Sequence, residues 1–427
     1  MFIAQRVISP RIKLLFDLLI GLFMRGGGAV ASFIVTWLIA RQFGAGVVGQ
    51  YQIGLTTATL GAVLATLGLH LVLIREAGRL ITSGAYGDLA ATYMACRRYM
   101  LVAGIAFCTI VLGGAAILEE TGIAPSSTIP FVFIFAPLIA ILAWMRLNND
   151  LLRSLGDVWR SQLLEGVFYS GLTAIVLLVL WLGNVTYPPA LIAAIYVASA
   201  VLALFFSSRI MTGHLATWGD GVPQIGKWQG LVAVAPNVIL TAADWTVLLI
   251  VGAFLSIEDA GVYRTLVMYS ALIVMISTSF DIMAGPHLAK ARANHDRKQF
   301  FSSVNSASAL GLLVASPLVL IAVFFPSPVL SLFGPDFVRG ATALGILSVA
   351  QLIRVVVGPA APAMVMLHKE KPVLYIEIIA ALASIPLALV LVQHLGLMGP
   401  PIAVLTASIL RGTYTRWALA RAWPASD

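Results

Sequence analysis

Apolar runs of about twenty residues follow one another along nearly the whole chain, divided by short segments that carry charge, Gly and Pro. A bilayer core about 30 Å thick takes roughly 20 helical residues per crossing, so each run has the length of a transmembrane helix. Spans are expected near 14–39, 52–74, 99–118, 130–152, 161–182 and 189–208, then 229–254, 262–284, 303–325, 342–366, 373–394 and 398–419. With 60% apolar and 10% charged residues, a water-facing surface cannot be built, and the 427 residues leave no room for a separate soluble domain. The fold class read from this is an all-α polytopic membrane protein of about 12 transmembrane helices.

Positive charge sets the orientation, because Lys and Arg stay on the cytoplasmic side. Alternate connecting segments hold nineteen of them, from Arg6, Arg11 and Lys13 at one end to Arg416 and Arg421 at the other, while the intervening loops hold Arg41 and Arg339. Both termini are therefore expected in the cytoplasm. Ala29-Val30-Ala31 could mimic a signal-peptide cleavage site, but Asp17 and Arg25 interrupt the apolar stretch before it and hydrophobicity resumes at once, so an uncleaved first span is expected. Dispersal of the cations among loops argues against nucleic acid as a partner. The histidines stand singly, and Cys96 and Cys108 give neither a disulfide framework nor a ligand spacing, so no metal site and no cofactor are expected.

An internal repeat is visible. Gly49-Gln-Tyr51 opens the second span and Gly261-Val-Tyr263 the eighth, 212 residues later, and a basic segment follows each about 24 residues on. Six spans separate the copies, so the halves share one orientation. The expected division is a six-helix lobe over 1–208, a cytoplasmic linker over 209–228 and a second six-helix lobe over 229–427.

Charges inside spans are the functional candidates, since each costs about 2.5 to 3.5 kcal/mol on an insertion scale and must pair or line a wet cavity. Arg25, Asp244, Arg354 and Arg411 lie nearest the middle of their spans; Asp17, Arg146, Asp150, Glu165, Asp281 and Glu377 lie closer to the cytoplasmic ends, where they can snorkel. Arg25 sits in the stripe Gly21, Arg25, Gly28, Ser32, where small neighbours leave room for a headgroup or for another helix. Asp244, eight residues after Pro236, is placed to carry a proton or Na⁺, or to form a static ion pair with an Arg such as Arg25. Arg354 shares its side with Ser348, Gln351 and Gly358, and its planar fork suits phosphate. No G-x-x-x-x-G-K-[ST] occurs, so an ATP-driven pump is not encoded.

The chain resembles the polysaccharide flippases of the multidrug/oligosaccharidyl-lipid/polysaccharide exporter superfamily, which act on O-antigen and exopolysaccharide repeat units. The likeness spans nearly the whole length, through Ala40-Arg-Gln-Phe-Gly44, Gly49-Gln-Tyr51, Ala65-Thr-Leu-Gly68 and Ile74-Arg75-Glu76, then Asp244, Gly252-Ala-Phe-Leu255, Ala260-Gly-Val-Tyr263, Leu332-Phe-Gly334, Leu344-Gly-Ile-Leu347 and Gly396-Leu-Met-Gly399. It departs at Pro400-Pro401, where the family continues with small residues. The resemblance implies two six-helix lobes around a central cavity that opens alternately to each side of a bacterial inner membrane. It also implies an undecaprenyl-diphosphate-linked oligosaccharide as cargo, with a polymerase and other glycan-assembly proteins as partners. Arg25, Arg354, Arg411 and Arg146 are then the candidates for binding the diphosphate, and Asp244 for the coupling cation. Two other readings stay open: a cation-coupled drug exporter of the same superfamily, and a membrane glycosyltransferase or polymerase, for which only Glu119-Glu120 and Glu258-Asp259 offer acids on outer loops.

Overall fold

The structure, a computed structural model, describes residues 10–122, 125–224 and 229–423, with the side chains of 10–25, 229, 231–233 and 370 left out. These residues are helical almost throughout: α1 (Pro10–Ala65), α2 (Leu69–Thr82), α3 (Tyr86–Glu120), α4 (Ile129–Phe135), α5 (Leu138–Ser154), α6 (Val158–Gln162), α7 (Phe168–Leu182) and α8 (Ala190–Leu215). The second half continues with α9 (Gln229–Phe254), α10 (Ile257–Ala293), α11 (Arg297–Phe324), α12 (Pro326–Ser331), α13 (Ala341–Val357), α14 (Ala360–Met366), α15 (Glu370–Leu395) and α16 (Gly399–Ala422). Lipid offers the backbone no hydrogen bonds, so chains of this composition satisfy their peptide groups within each helix. Large apolar side chains cover the outer faces, among them Val102, Ile105 and Ile110 on α3 and Leu313 and Phe324 on α11.

Among the described residues, ten continuous stretches are long and apolar enough to cross a membrane. Two of them hold two crossings each: Gly26–Ala65 bends at Gly44, and Lys371–Ala422 is interrupted by the turn Gly396–Met398. Counted by crossing, they make the twelve spans expected. The turn between the first two spans is a single sharp break. Helix α1 runs through to Ala65 with one break at Gly44, whose φ of 78° is open to glycine at little cost.

The 212-residue repeat extends to the elements. The pair α4–α5 (Ile129–Ser154) and the pair α13–α14 (Ala341–Met366) begin and end at that offset. So do the starts of α6 (Val158) and α15 (Glu370). The π-helical turn Leu163–Val167 joins α6 to α7 in the first copy, whereas α15 is one continuous helix.

The chain divides into two compact units. One comprises the described residues up to Leu38 with Ile53–Val238, the other Ile39–Gln52 with Ile239 onward. In the first, α5 packs on α2, α3 and α8, burying Leu73, Leu89, Tyr93, Leu138 and Leu151. The Tyr93 hydroxyl donates to Asn148 Oδ1 at 2.6 Å, and Asn148 Nδ2 donates to Ser207 at 2.9 Å, so this buried amide is satisfied across three helices. In the second, α13 lies against α10, α11 and α16, and a cluster of Leu288, Phe300, Val304, Met364 and Leu419 fills one end.

The expected lobe boundary at 209–228 does not describe where 39–52 belongs. That stretch is held by the second unit because the two glycine motifs meet. A Cβ on Gly49 would collide with the carbonyl of Ile257, and one on Gly261 with the carbonyl of Ala45. Residue 257 follows residue 45 by the same 212, so the crossing of α1 and α10 is symmetric about the repeat. Backbone approach of this kind is how helices associate where lipid removes the usual hydrophobic drive.

Candidate functional site

A cavity of about 470 Å³ opens within the second unit, lined by Asp244, Gln351, Arg354, Glu377, Ser384 and Arg411 among others. Helix α13 presents Arg354 in its last turn. Gly358, at φ 60°, ends the helix and returns its N–H to the Arg354 carbonyl at 3.1 Å. Helix α16 brings Arg411 alongside because Gly412 follows it. A Cβ there would stand 2.7 Å from Val357 Cγ2, so only glycine lets α16 lie this close to α13. Asp244 comes from α9 and Glu377 from α15.

The two guanidinium groups are differently committed. Arg411 Nη1 donates to Glu377 Oε2 at 2.9 Å, with the two side chains 23% and 30% exposed. The Arg354 guanidinium makes no hydrogen bond or ion pair with another described residue. It lies in the fields of Arg411, Glu377 and Asp281. A smaller cavity of about 60 Å³, lined by Ser277, Asp281, Arg354 and Arg411, lies beside the first, and Asp281 Oδ1 is buried without a hydrogen-bond partner. The site therefore holds one available planar cation, one held by an acid, and two further carboxylates. It can receive an anion on Arg354, and on Arg411 once Glu377 lets go.

Of the residues singled out from sequence, Arg354, Arg411 and Asp244 share this cavity. Arg146 does not: it belongs to the first unit, on α5, where it acts electrostatically on His70, Asp150 and Tyr169. Arg25 and Asp17 lie outside the described side chains. Glu377 is corrected, since it faces the cavity and pairs with Arg411 rather than snorkelling to a headgroup. Helix α15 turns that face inward, and the nearby cation outcompetes solvent.

Arg264 is the residue that sequence reasoning missed. It interacts electrostatically with Asp244, and its Nε donates to Gln52 Oε1 at 3.2 Å. Asp244 thus has a cationic neighbour in Arg264. The signal was present: Arg264 follows the Gly261-Val-Tyr263 motif directly, and Gln52 follows Gly49-Gln-Tyr51. Of the outer-loop acids, Asp259 has local partners. The Ser256 hydroxyl accepts from Asp259 N–H at 3.0 Å to cap α10, Arg339 pairs with Asp259 at 3.3 Å, and Glu258 covers Gly46.

No known family profile matches the chain, and no curated protein is similar to it in sequence. Solved structures are similar in fold. A multidrug resistance MATE family transporter of the MOP superfamily, in an inward-facing conformation, superposes with a TM-score of 0.76 at 14% identity, over 93% of this chain and 96% of that one. An outward-facing structure of such a transporter gives 0.62 at 15% identity, over 96% and 95%. A MOP superfamily transporter from Pyrococcus furiosus, for which a reverse polarity of the binding pocket suggests a different function, also gives 0.62 at 15% identity, over 97% and 96%. At these identities the likeness is one of architecture, and over nearly its whole length the chain has the fold of the MATE transporters.

Proposed function

We propose that the protein is a secondary transporter that moves a polyprenyl-diphosphate-linked oligosaccharide from the cytoplasmic to the outer leaflet of a bacterial inner membrane by alternating access. The observation that carries this reading is the Arg354 guanidinium, accessible in the second unit's cavity beside Arg411 and without a hydrogen-bonding partner among the described residues. A diphosphate needs two or more such donors, and Arg offers them in pairs. Asp244, with Arg264 near it, is the group assigned to the coupling cation.

A cation-coupled drug exporter is the second reading. It is favoured by Asp244, Glu377 and Asp281, which put acids around the same space. Cells lacking the protein decide between the two. Complete lipid-linked units trapped on the cytoplasmic leaflet are expected, and Arg354→Gln should reproduce that defect at normal membrane abundance. Unimpaired delivery of the units, with loss of cationic dye efflux, establishes the exporter. Units that cross but stay unpolymerised point to a polymerising enzyme.

A further inference from the structure

The first unit contains a second cavity, of about 310 Å³, lined by Gly28, Ser32, Gln162, Glu165, Gly166 and Tyr169 together with Ala29. Four of its seven lining residues have counterparts in the lining of the second-unit cavity at the repeat offset. Gly28, Ser32, Glu165 and Tyr169 correspond to Leu240, Asp244, Glu377 and Ala381, and all four of those line the larger cavity. The match is independent of the glycine motifs that revealed the repeat. The two cavities therefore sit at related places in the repeat and differ in chemistry.

The difference has a direction. The position equivalent to Arg354 is Leu142, and the position equivalent to Asp244 is Ser32. Among the described side chains of the lining, Glu165 is the one charged residue, and it pairs with Arg153 of α5, which also pairs with Asp150 at 3.2 Å and donates to Ser161 at 2.8 Å. The described lining offers a hydroxyl, an amide, a carboxylate paired with Arg153 and a phenol, with the Tyr169 ring set edge-on to Tyr196 at 5.4 Å between centroids. Such a set offers donors and acceptors in both senses beside an aromatic ring. The volume falls at the lower end of ligand pockets, about 300 to 1,000 Å³. A π-helical turn carries Glu165 and Gly166 into it, an irregularity found often at functional sites.

We propose that the first-unit cavity is a carbohydrate site that takes neutral, hydroxyl-rich sugar from the cargo, while the second-unit cavity takes the anionic part. The assignment rests on the transport reading given above. It also gives the stripe of Gly28 and Ser32 on α1 a use, as the floor of a sugar pocket.

Gly166 supplies a clean test, because nothing lies within 4 Å of a Cβ built there. Gly166→Leu adds bulk to the pocket lining from a Cβ that meets no neighbour, and Gln162→Leu removes a hydrogen-bonding group. The probes are bare undecaprenyl diphosphate and the oligosaccharide released by mild acid from lipid-linked units of the source cells. Binding is read by saturation-transfer NMR for the sugar and by tryptophan fluorescence for the lipid, on full-length purified protein. The sugar should bind wild type and Arg354→Gln alike, and at least about tenfold more weakly to both first-cavity variants, equivalent to about 1.4 kcal/mol. Bare lipid should bind wild type and Gly166→Leu alike. Absence of sugar binding to wild type, or its persistence in both first-cavity variants, overturns the carbohydrate site. Undiminished binding of bare lipid to Arg354→Gln instead overturns the reading of the second cavity, and the two failures are read separately.

Discussion

Arg354 and Arg411 share one space, yet only one of them is held by an acid, and this asymmetry sets what substitution should do. A hydrogen bond to a charged group is worth about 1.5 to 3 kcal/mol, so Arg354→Gln should weaken binding of undecaprenyl diphosphate by about tenfold to a hundredfold. Arg354→Lys should fall between, since it keeps the charge and loses the fork. Neither should lower the melting temperature, because the Arg354 guanidinium bonds to no described neighbour. Glu377→Gln should act in opposite directions on the two measurements. It removes the partner of a part-buried Arg411, costing up to about 1 kcal/mol of stability, and releases a second guanidinium for an anion. A thermal melt that drops without lipid and recovers with it is the expected signature; weaker lipid binding would show that Glu377 orients Arg411 for the ligand instead.

At the scale of elements, the crossing of α1 and α10 depends on two glycines in a way that most glycines of the chain do not share. Gly49→Ala and Gly261→Ala each push a methyl onto a carbonyl of the opposite helix, an overpacking that costs about 1 to 3 kcal/mol. Gly113→Ala and Gly114→Ala on α3 have nothing within 4 Å and should be neutral or slightly stabilising. Size-exclusion yield of the four variants checks the contrast. The twelve spans were legible because hydropathy reports a crossing wherever it occurs. The sharpness of the break at Gly44 was not, because a break at one glycine and a longer turn look alike in sequence. Glu377 and Arg264 were hidden for a related reason: sequence gives depth along a helix, but the face a residue presents depends on which neighbours the helix finds. The repeat held that information, as the coincidence of Gln52 with Arg264 and of Glu165 with Glu377 shows.

For the whole molecule, each compact unit borrows chain from the other half. Residues 39–52 pack in the second unit, and the stretch up to Val238 in the first. The connection around Gly219 is itself tied down on α3, where Asp88 Oδ1 accepts from Val222 N–H and Thr92 Oγ1 from Gln224 N–H, both at 2.8 Å. A protease site inserted after the exposed Gly219 should therefore be cut in detergent without separating the pieces, and a tag on either fragment should recover both. Fragments that part would show that the shared stretches contribute little to cohesion.

That borrowing also imposes an order in time. The segment 39–52 is made early, but Ile257 and Gly261, whose backbone it must meet, leave the ribosome some two hundred residues later. At about 5 to 20 residues per second, the first helix waits roughly 10 to 40 s in the membrane with its glycine face uncovered. The nascent first half must stay loose along that face for the whole interval, so the second unit closes on a segment made some two hundred residues before its partner.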